Sequence, residues 1–147
     1  MAQTCDSTGR YFECCLYCTT NTLSRLISKM TEEIFMPTGL TPSYAFLMMV
    51  VIEKDSIGVC DLAHTLNLAP STVTRFVDAL MVKGYLQRKQ EGRNMIVMPT
   101  QEGKELLPKI QEVWKKLHDR YIEAFGEEFA TQLTADIAKA NRILGNK

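Results

Sequence analysis

Long hydrophobic runs are missing from this 147-residue sequence. The longest, Ala45 to Ile52, falls far short of the roughly 20 residues that span a bilayer, so no membrane segment is expected. Glycine (8) and proline (5) are too scarce for a collagen-like or low-complexity chain. Met1 to Arg10 has no apolar stretch behind a basic start, so no signal peptide is expected and the expected location is cytoplasmic. With that absence, an odd count of 5 cysteines argues against a disulfide framework. Enzyme signatures are also missing: there is no Gly-rich phosphate loop, no His-Glu-x-x-His, no Gly-x-Ser-x-Gly and no paired histidine–carboxylate cluster. Neither catalysis nor a cofactor is expected. What the chain does have is 46% hydrophobic residues, enough to pack the core of one domain.

The formal net charge is zero, but the charge is unevenly placed. Residues 1–68 carry four basic and seven acidic side chains. Residues 69–104 carry six basic (Arg75, Lys83, Arg88, Lys89, Arg93, Lys104) and three acidic (Asp78, Glu91, Glu102). Residues 105–147 carry seven of each. A phosphate-facing surface, where one exists, belongs in that positive middle third.

Apolar periodicity sets the order of elements. Leu16, Leu23, Ile27, Met30 and Ile34 lie on one face of a helix running from about Ser7 to Phe35, stopped by Pro37 and Gly39. Thr41-Pro42 opens a second helix, whose all-apolar run Ala45–Ile52 predicts burial. A short helix over Val59–Leu66 and a longer one from Pro70-Ser71 to Lys83, ended by Gly84, follow. Tyr85–Thr100 changes period: Leu86-Gln87-Arg88 and Met95–Met98 flank a polar turn and predict a hairpin ended by Pro99. The helical period then returns at Leu106, Ile110, Val113, Leu117 and Tyr121, with Pro108 expected to kink that helix or mark a lead-in turn. Gly126 breaks it, and Phe129, Leu133, Ile137, Ala140 and Leu144 form the face of a last helix. The expected fold is mainly α, an α+β winged helix with about six helices and a small hairpin wing.

A helix-turn-helix followed by a basic hairpin suits double-stranded DNA. A helix about 12 Å across fits the major groove, and a thin ribbon can follow the backbone to the minor groove. With Val73, Val77 and Leu80 turned inward, Ser71, Thr72, Thr74, Arg75 and Asp78 point outward. Hydroxyls near a helix start bond phosphates or base edges, and Arg75 has the fork geometry for guanine or phosphate. Arg88, Lys89 and Arg93 charge the hairpin. A winged helix that binds protein instead of DNA is the alternative.

Leu40-Thr41-Pro42, Asp61-Leu62-Ala63, Ser71-Thr72-Val73-Thr74-Arg75, Lys83-Gly84-Tyr85-Leu86, Glu91-Gly92-Arg93 and Thr100-Gln101-Glu102-Gly103 fall in the order of the landmarks of MarR transcription regulators. Over roughly residues 10–145 the chain resembles that family. The resemblance implies a single MarR-like chain, 1–147, that pairs as a homodimer. Helical arms from both termini (7–36 and 105–147) would dimerise, and a winged helix-turn-helix over 40–104 would read half of a pseudo-palindromic operator. It further implies a regulator, most often a repressor, modulated by a small effector or by cysteine oxidation. Arg93 would enter the minor groove, oriented by an ion pair to Glu91. Glu91 replaces the family's usual aspartate, and Gly92 replaces a commonly basic wing residue.

Cys14, Cys15 and Cys18 cluster on the first helix, with Cys14 and Cys15 each within one turn of Cys18. Three readings are open: packing as small apolar residues in a helix–helix contact, a redox sensor, or part of a thiolate metal site. Some MarR relatives sense peroxide through a cysteine four residues before a tyrosine; that position before Tyr17 is Glu13, so the role does not transfer. Cys60 is expected in the core. Tyr44, Phe46, Trp114 and Tyr121 are expected either to line an effector pocket or to pack the core. His64 and His118 receive no role.

Overall fold

A computed structural model describes residues 11–145. Residues 7–10 and 146–147, assigned above to the arms, lie outside the described residues. The helices are α1 (Tyr11–Cys14), α2 (Leu16–Phe35), α3 (Pro42–Lys54), α4 (Val59–Leu66), α5 (Pro70–Val82), α6 (Gln101–Glu105), α7 (Leu107–Phe125) and α8 (Glu127–Gly145). The strands are β1 (Ile57–Gly58), β2 (Leu86–Glu91) and β3 (Asn94–Pro99). Among the described residues no single helix is long and apolar enough to cross a membrane.

The expected helix order is present with two breaks. Cys15 adopts an extended conformation (φ −85°, ψ 116°) and separates α1 from α2. Cys14 and Cys18 are therefore not one turn apart on a continuous helix. The second break, at Leu106, makes Pro108 part of the first turn of α7, where a missing N–H has no helical partner to lose. The lead-in turn, not the kink, is the outcome.

At the centre lies α3. Thr41 caps it, its hydroxyl accepting the Tyr44 N–H at 3.3 Å. Ala45, Leu47, Met48 and Val51 are buried, and Phe46, Met49, Val50 and Ile52 are half-buried, so the helix is enclosed on most sides. Leu62 and Ala63 from α4, Val73, Val77 and Leu80 from α5, Val97 from β3 and Ile110 from α7 close around it. Each large side chain fully buried here contributes about 1.5–3 kcal/mol.

The hairpin strands pair in antiparallel register from Leu86↔Pro99 to Glu91↔Asn94. Gly92 takes the positive φ (61°) that a two-residue turn needs at its first position. The strands thus run closer to the tip than expected, leaving only Gly92-Arg93 in the turn. A third strand was not expected: β1 pairs with β3 through Ile57↔Val97 and Gly58↔Ile96, anchoring the wing beside α4. Two residues are too few to show a period.

Thr100 and Gly103 lock the wing to α6. The Thr100 hydroxyl donates to the Gly84 carbonyl at 2.6 Å and accepts the Gly103 N–H at 3.1 Å. The Thr100 N–H reaches the Tyr85 carbonyl at 3.0 Å. A Cβ on Gly103 would collide with that same carbonyl oxygen, which is why the fourth residue of Thr-x-x-Gly carries no side chain.

The arms are only partly covered. On α2, Leu16 is 80% exposed, while Leu23, Ile27, Met30 and Ile34 are half-buried. On α8, Phe129, Ile137 and Leu144 are exposed and Ala130 alone is buried. In α7, by contrast, Ile110, Val113 and Leu117 are buried as their spacing predicts. The apolar faces of α2 and α8 are real, but the rest of the chain covers them only in part.

Candidate nucleic-acid interface

Three residues, Asn67 to Ala69, connect α4 to α5. Asn67 takes a left-handed conformation (φ 53°), a role asparagine tolerates well, and its N–H returns to the end of α4. Pro70 opens α5, and its N-cap, Ala69, offers no side-chain cap. Pro70 has no N–H, and the Thr72 and Val73 N–H groups return to the Ala69 carbonyl at 2.9 and 3.1 Å, so in the first turn of α5 the Ser71 N–H is the one left for an outside acceptor, with the positive end of the helix dipole behind it.

The outward face of α5 is the one expected. Ser71, Thr74, Arg75 and Asp78 are exposed and Thr72 is half-buried, whereas Val73, Val77 and Leu80 are buried. Three of these side chains are already engaged, Asp78 with Arg88 of the wing. The Thr74 hydroxyl donates to the Pro70 carbonyl at 2.9 Å, so it must exchange that bond to donate to a phosphate. Arg75 lies with its guanidinium carbon 5.8 Å from the centre of the Phe76 ring, and Phe76 meets Tyr44 edge-on at 5.1 Å. Arg75 thus rises from a braced aromatic base.

On the wing, Arg88, Lys89, Glu91 and Arg93 are all exposed. Arg88 is held by Asp78 of α5 at 2.6 Å. Lys89 lies 3.4 Å from Glu91. The expected Glu91–Arg93 pair is absent among the described residues: Glu91 is in β2 and faces Lys89 two residues back on the same strand face, whereas Arg93 sits in the turn. Lys104, counted above in the positive third, is paired with Asp55 at 2.6 Å. Among the described residues, neither Arg75 nor Arg93 takes part in an ion pair. Positive charge without an internal partner is thus found on α5 and at the wing tip.

A groove of about 380 Å³ lies where α2, α3 and α7 meet. Phe46 and Tyr121 line it, with Thr31 and Glu32 from α2 and Ser43 from α3. Thr31 and Tyr121 bridge its wall through their hydroxyls, 3.3 Å apart. The aromatic residues therefore divide. Tyr44 packs on Phe76, and Trp114, 45% exposed, meets Phe46 edge-on at 4.9 Å.

Cys14 and Cys15 are exposed and Cys18 is half-buried, so Cys14 and Cys15 do not pack within the subunit. Cys60, expected in the core, is exposed as well: Leu62 and Ala63 supply the inward face of α4, and Cys60 points away from it. Among the described residues no three His, Cys, Asp or Glu side chains converge to hold a metal ion. His64 and His118 are both exposed.

A helix-turn-helix followed by a three-stranded wing defines the winged-helix fold. The sequence profile of the MarR family matches residues 40–94, from the lead into α3 to the wing tip. Over those residues the chain resembles that family. Its similarity to the uncharacterized HTH-type transcriptional regulator YhbI of Bacillus subtilis (strain 168) is 27% identity over 105 residues, covering 69% of this chain and 68% of that protein. The fold matches the transcriptional repressor CouR bound to a 23-mer DNA duplex, with a TM-score of 0.81, 20% identity, and 93% and 99% of the two chains covered. A second CouR structure, from Rhodococcus jostii RHA1, holds p-coumaroyl-CoA (TM-score 0.73, 20% identity, 86% and 91% covered). A cysteine-to-serine mutant of MarR from E. coli, complexed with operator DNA, matches with a TM-score of 0.79, 17% identity, and 91% and 99% covered.

Proposed function

We propose that this protein is a DNA-binding transcription regulator and not an enzyme, a repressor by the custom of its family, working in the cytoplasm as a homodimer on a pseudo-palindromic operator. Residues 40–104 form the DNA-binding region; 7–36 and 105–147 form the dimerisation region. The observation that carries the reading is the free charge on two adjoining elements. Arg75 on α5 and Arg93 at the wing tip have no internal ion-pair partner, while most of the other positive side chains of that region do.

In this reading α5 enters the major groove. Ser71, Thr72 and Thr74 meet phosphates or base edges, and Arg75 reads an edge. Arg93 enters the minor groove, and Arg88 and Lys89 follow the backbone. Glu91 supports the wing through Lys89 rather than through Arg93. A twofold dimer must present its two copies of α5 to successive major-groove faces, roughly 34 Å apart. A ligand in the groove between α2, α3 and α7 touches both an arm and the core of the DNA-binding region, so it can change that separation and release DNA. Support for such an effector comes from the small molecule seated in the CouR fold.

The test is binding to mixed genomic fragments at two salt concentrations. Affinity falls as salt rises, and Arg75→Ala and Arg93→Ala each weaken it. No binding at low salt overturns the proposal and favours a protein-binding winged helix.

A further inference from the structure

The groove between α2, α3 and α7 has one charge and a fixed aromatic wall. Phe46, which lines it, meets Phe35 edge-on at 5.5 Å and Trp114 edge-on at 4.9 Å, so its ring is held from two sides. Among the described residues that line the groove, Glu32 carries the only charge. Its side chain is exposed and has no ion-pair partner among the described residues, not even Lys29 one turn back on α2. Lys116 and Arg120 flank the lining residues Leu117 and Tyr121 on α7, but each already holds a carboxylate on its own helix. The Lys116–Glu112 pair is at 2.7 Å and the Arg120–Glu123 pair at 2.8 Å.

The hydroxyls add to this polarity. Thr31 donates its one proton to the Ile27 carbonyl at 2.7 Å. In the 3.3 Å contact between the Thr31 and Tyr121 hydroxyls, Tyr121 is therefore the donor. Its proton is used within the wall, and its oxygen keeps a lone pair for a ligand. Ser28 and Ser43 line the groove with hydroxyls that turn to donate or accept. The groove thus offers two acceptors of settled sense, one of them a carboxylate, beside an aromatic surface. An ammonium matches both acceptors with charge-assisted hydrogen bonds, whereas a carboxylate would meet a like charge.

We propose that this groove selects an arylalkyl amine in its protonated form, the ammonium set on the Glu32 carboxylate and the Tyr121 oxygen and the ring against Phe46. The inference rests on the reading of the groove as an effector site and names the chemistry of its occupant. Because Glu32 is exposed, water screens the pair and the preference for charge is modest.

The experiment titrates the full chain, without DNA, with three probes of similar size: phenethylamine, phenethyl alcohol and phenylacetate. Trp114, the chain's single tryptophan, touches Phe46, so its fluorescence reports occupancy of this groove. The amine is expected to bind about tenfold tighter than the alcohol, near the lower limit for a hydrogen bond to a charged group, and phenylacetate weakest. Glu32→Gln brings the amine down to the level of the alcohol and leaves the alcohol unchanged. Tyr121→Phe weakens the amine more than the alcohol. Glu33→Gln, which removes an exposed carboxylate that does not line the groove, keeps the preference, and so separates a contact from the general field of α2. Helix content is checked in each variant. Phenylacetate binding best, or the three probes binding alike, overturns the amine but keeps the groove as an effector site. An amine preference that survives Glu32→Gln overturns the proposal as well. Binding of none of the three removes the groove as a site for such ligands along with the amine. DNA binding enters none of these readouts, so the salt-dependence test of the regulator stands apart.

Discussion

Arg88 Nη1 on β2 lies 2.6 Å from Asp78 Oδ1 on α5, joining the wing to the helix that precedes it. The pair is half-exposed, at 41% and 52% of the two side chains, so water screens it. Its main effect is geometric and electrostatic. It sets the wing against α5, and it neutralises one of the positive charges that the sequence places on the hairpin.

The first prediction follows from that neutralisation. Asp78→Asn keeps the size of the side chain and releases Arg88. DNA affinity is expected to rise, and the slope of log affinity against log salt to steepen by about one phosphate contact. Stability changes little: a double-mutant cycle with Arg88→Ala gives a coupling of about 0.2–1 kcal/mol in urea unfolding. An unchanged salt slope means that Arg88 does not face the phosphates.

Arg75 and Arg93 are expected to differ in kind. Arg75 stands on α5, where a bidentate contact to a base edge discriminates sequence; Arg75→Ala should cost about 1–3 kcal/mol on a selected operator and relax preference at one position. Arg93 rides a two-residue turn at the wing tip, with Glu91 paired to Lys89 instead. Arg93→Ala should weaken operator and random DNA together and lower the salt slope by about one. Because Glu91 does not hold Arg93, Glu91→Gln should leave binding no weaker than wild type. Competition binding against random duplex separates the three variants.

Much of this arrangement was legible in the residues. Val59–Leu66, the Thr41 cap and the inward set Val73, Val77 and Leu80 follow from period and capping chemistry, which act within one turn of helix. The misreadings share a cause. Cys60 sits in an apolar-looking run, but a helix of eight residues has room for few inward positions and Leu62 and Ala63 take them. The break at Cys15 interrupts a stretch whose spacing is unbroken, and β1 is two residues whose identity as strand depends on Ile96 and Val97, about 40 residues away. The Asp78–Arg88 and Lys89–Glu91 pairs depend on how a hairpin folds over a helix and on strand pleat. Charge counting located the positive region but not which charges were already spoken for.

Gly103 and Gly92 make a paired test of why each residue is glycine. At Gly103 the obstacle is space: a Cβ meets the Tyr85 carbonyl and the end of Met48. Gly103→Ala must push α6 away from the wing base and should cost about 1–3 kcal/mol. At Gly92 nothing lies within 4 Å, and the obstacle is the backbone, at φ 61°. Gly92→Ala should cost about 1–2 kcal/mol of left-handed strain, without moving α6. Urea midpoints measure both costs. Only Gly103→Ala should disturb the packing of Met48, visible as a shift of its methyl signal.

The last prediction concerns the arms. Leu16, Leu26, Ile143 and Leu144 are each more than 60% exposed, and they lie on α2 and α8, whose inner faces the subunit covers only in part. Apolar side chains left uncovered on two arms of one chain call for a second copy, because a monomer would hold that area in water. Charge placed there costs a monomer little, since surface changes usually stay within about 0.5 kcal/mol. In a dimer the same change buries an unpaired carboxylate. Leu26→Glu and Ile143→Asp are therefore expected to convert a species of twice the chain mass into one of single mass in sedimentation. Val82→Asp, at a position 90% exposed on the end of α5, is the control and should leave the dimer intact. The monomeric variants should keep their helix content and lose operator affinity more than random-DNA affinity, because a single α5 spans one half-site. Equal loss on both kinds of DNA would show that the arms serve folding rather than pairing. A wild-type chain that sediments at single mass would remove the twofold operator altogether.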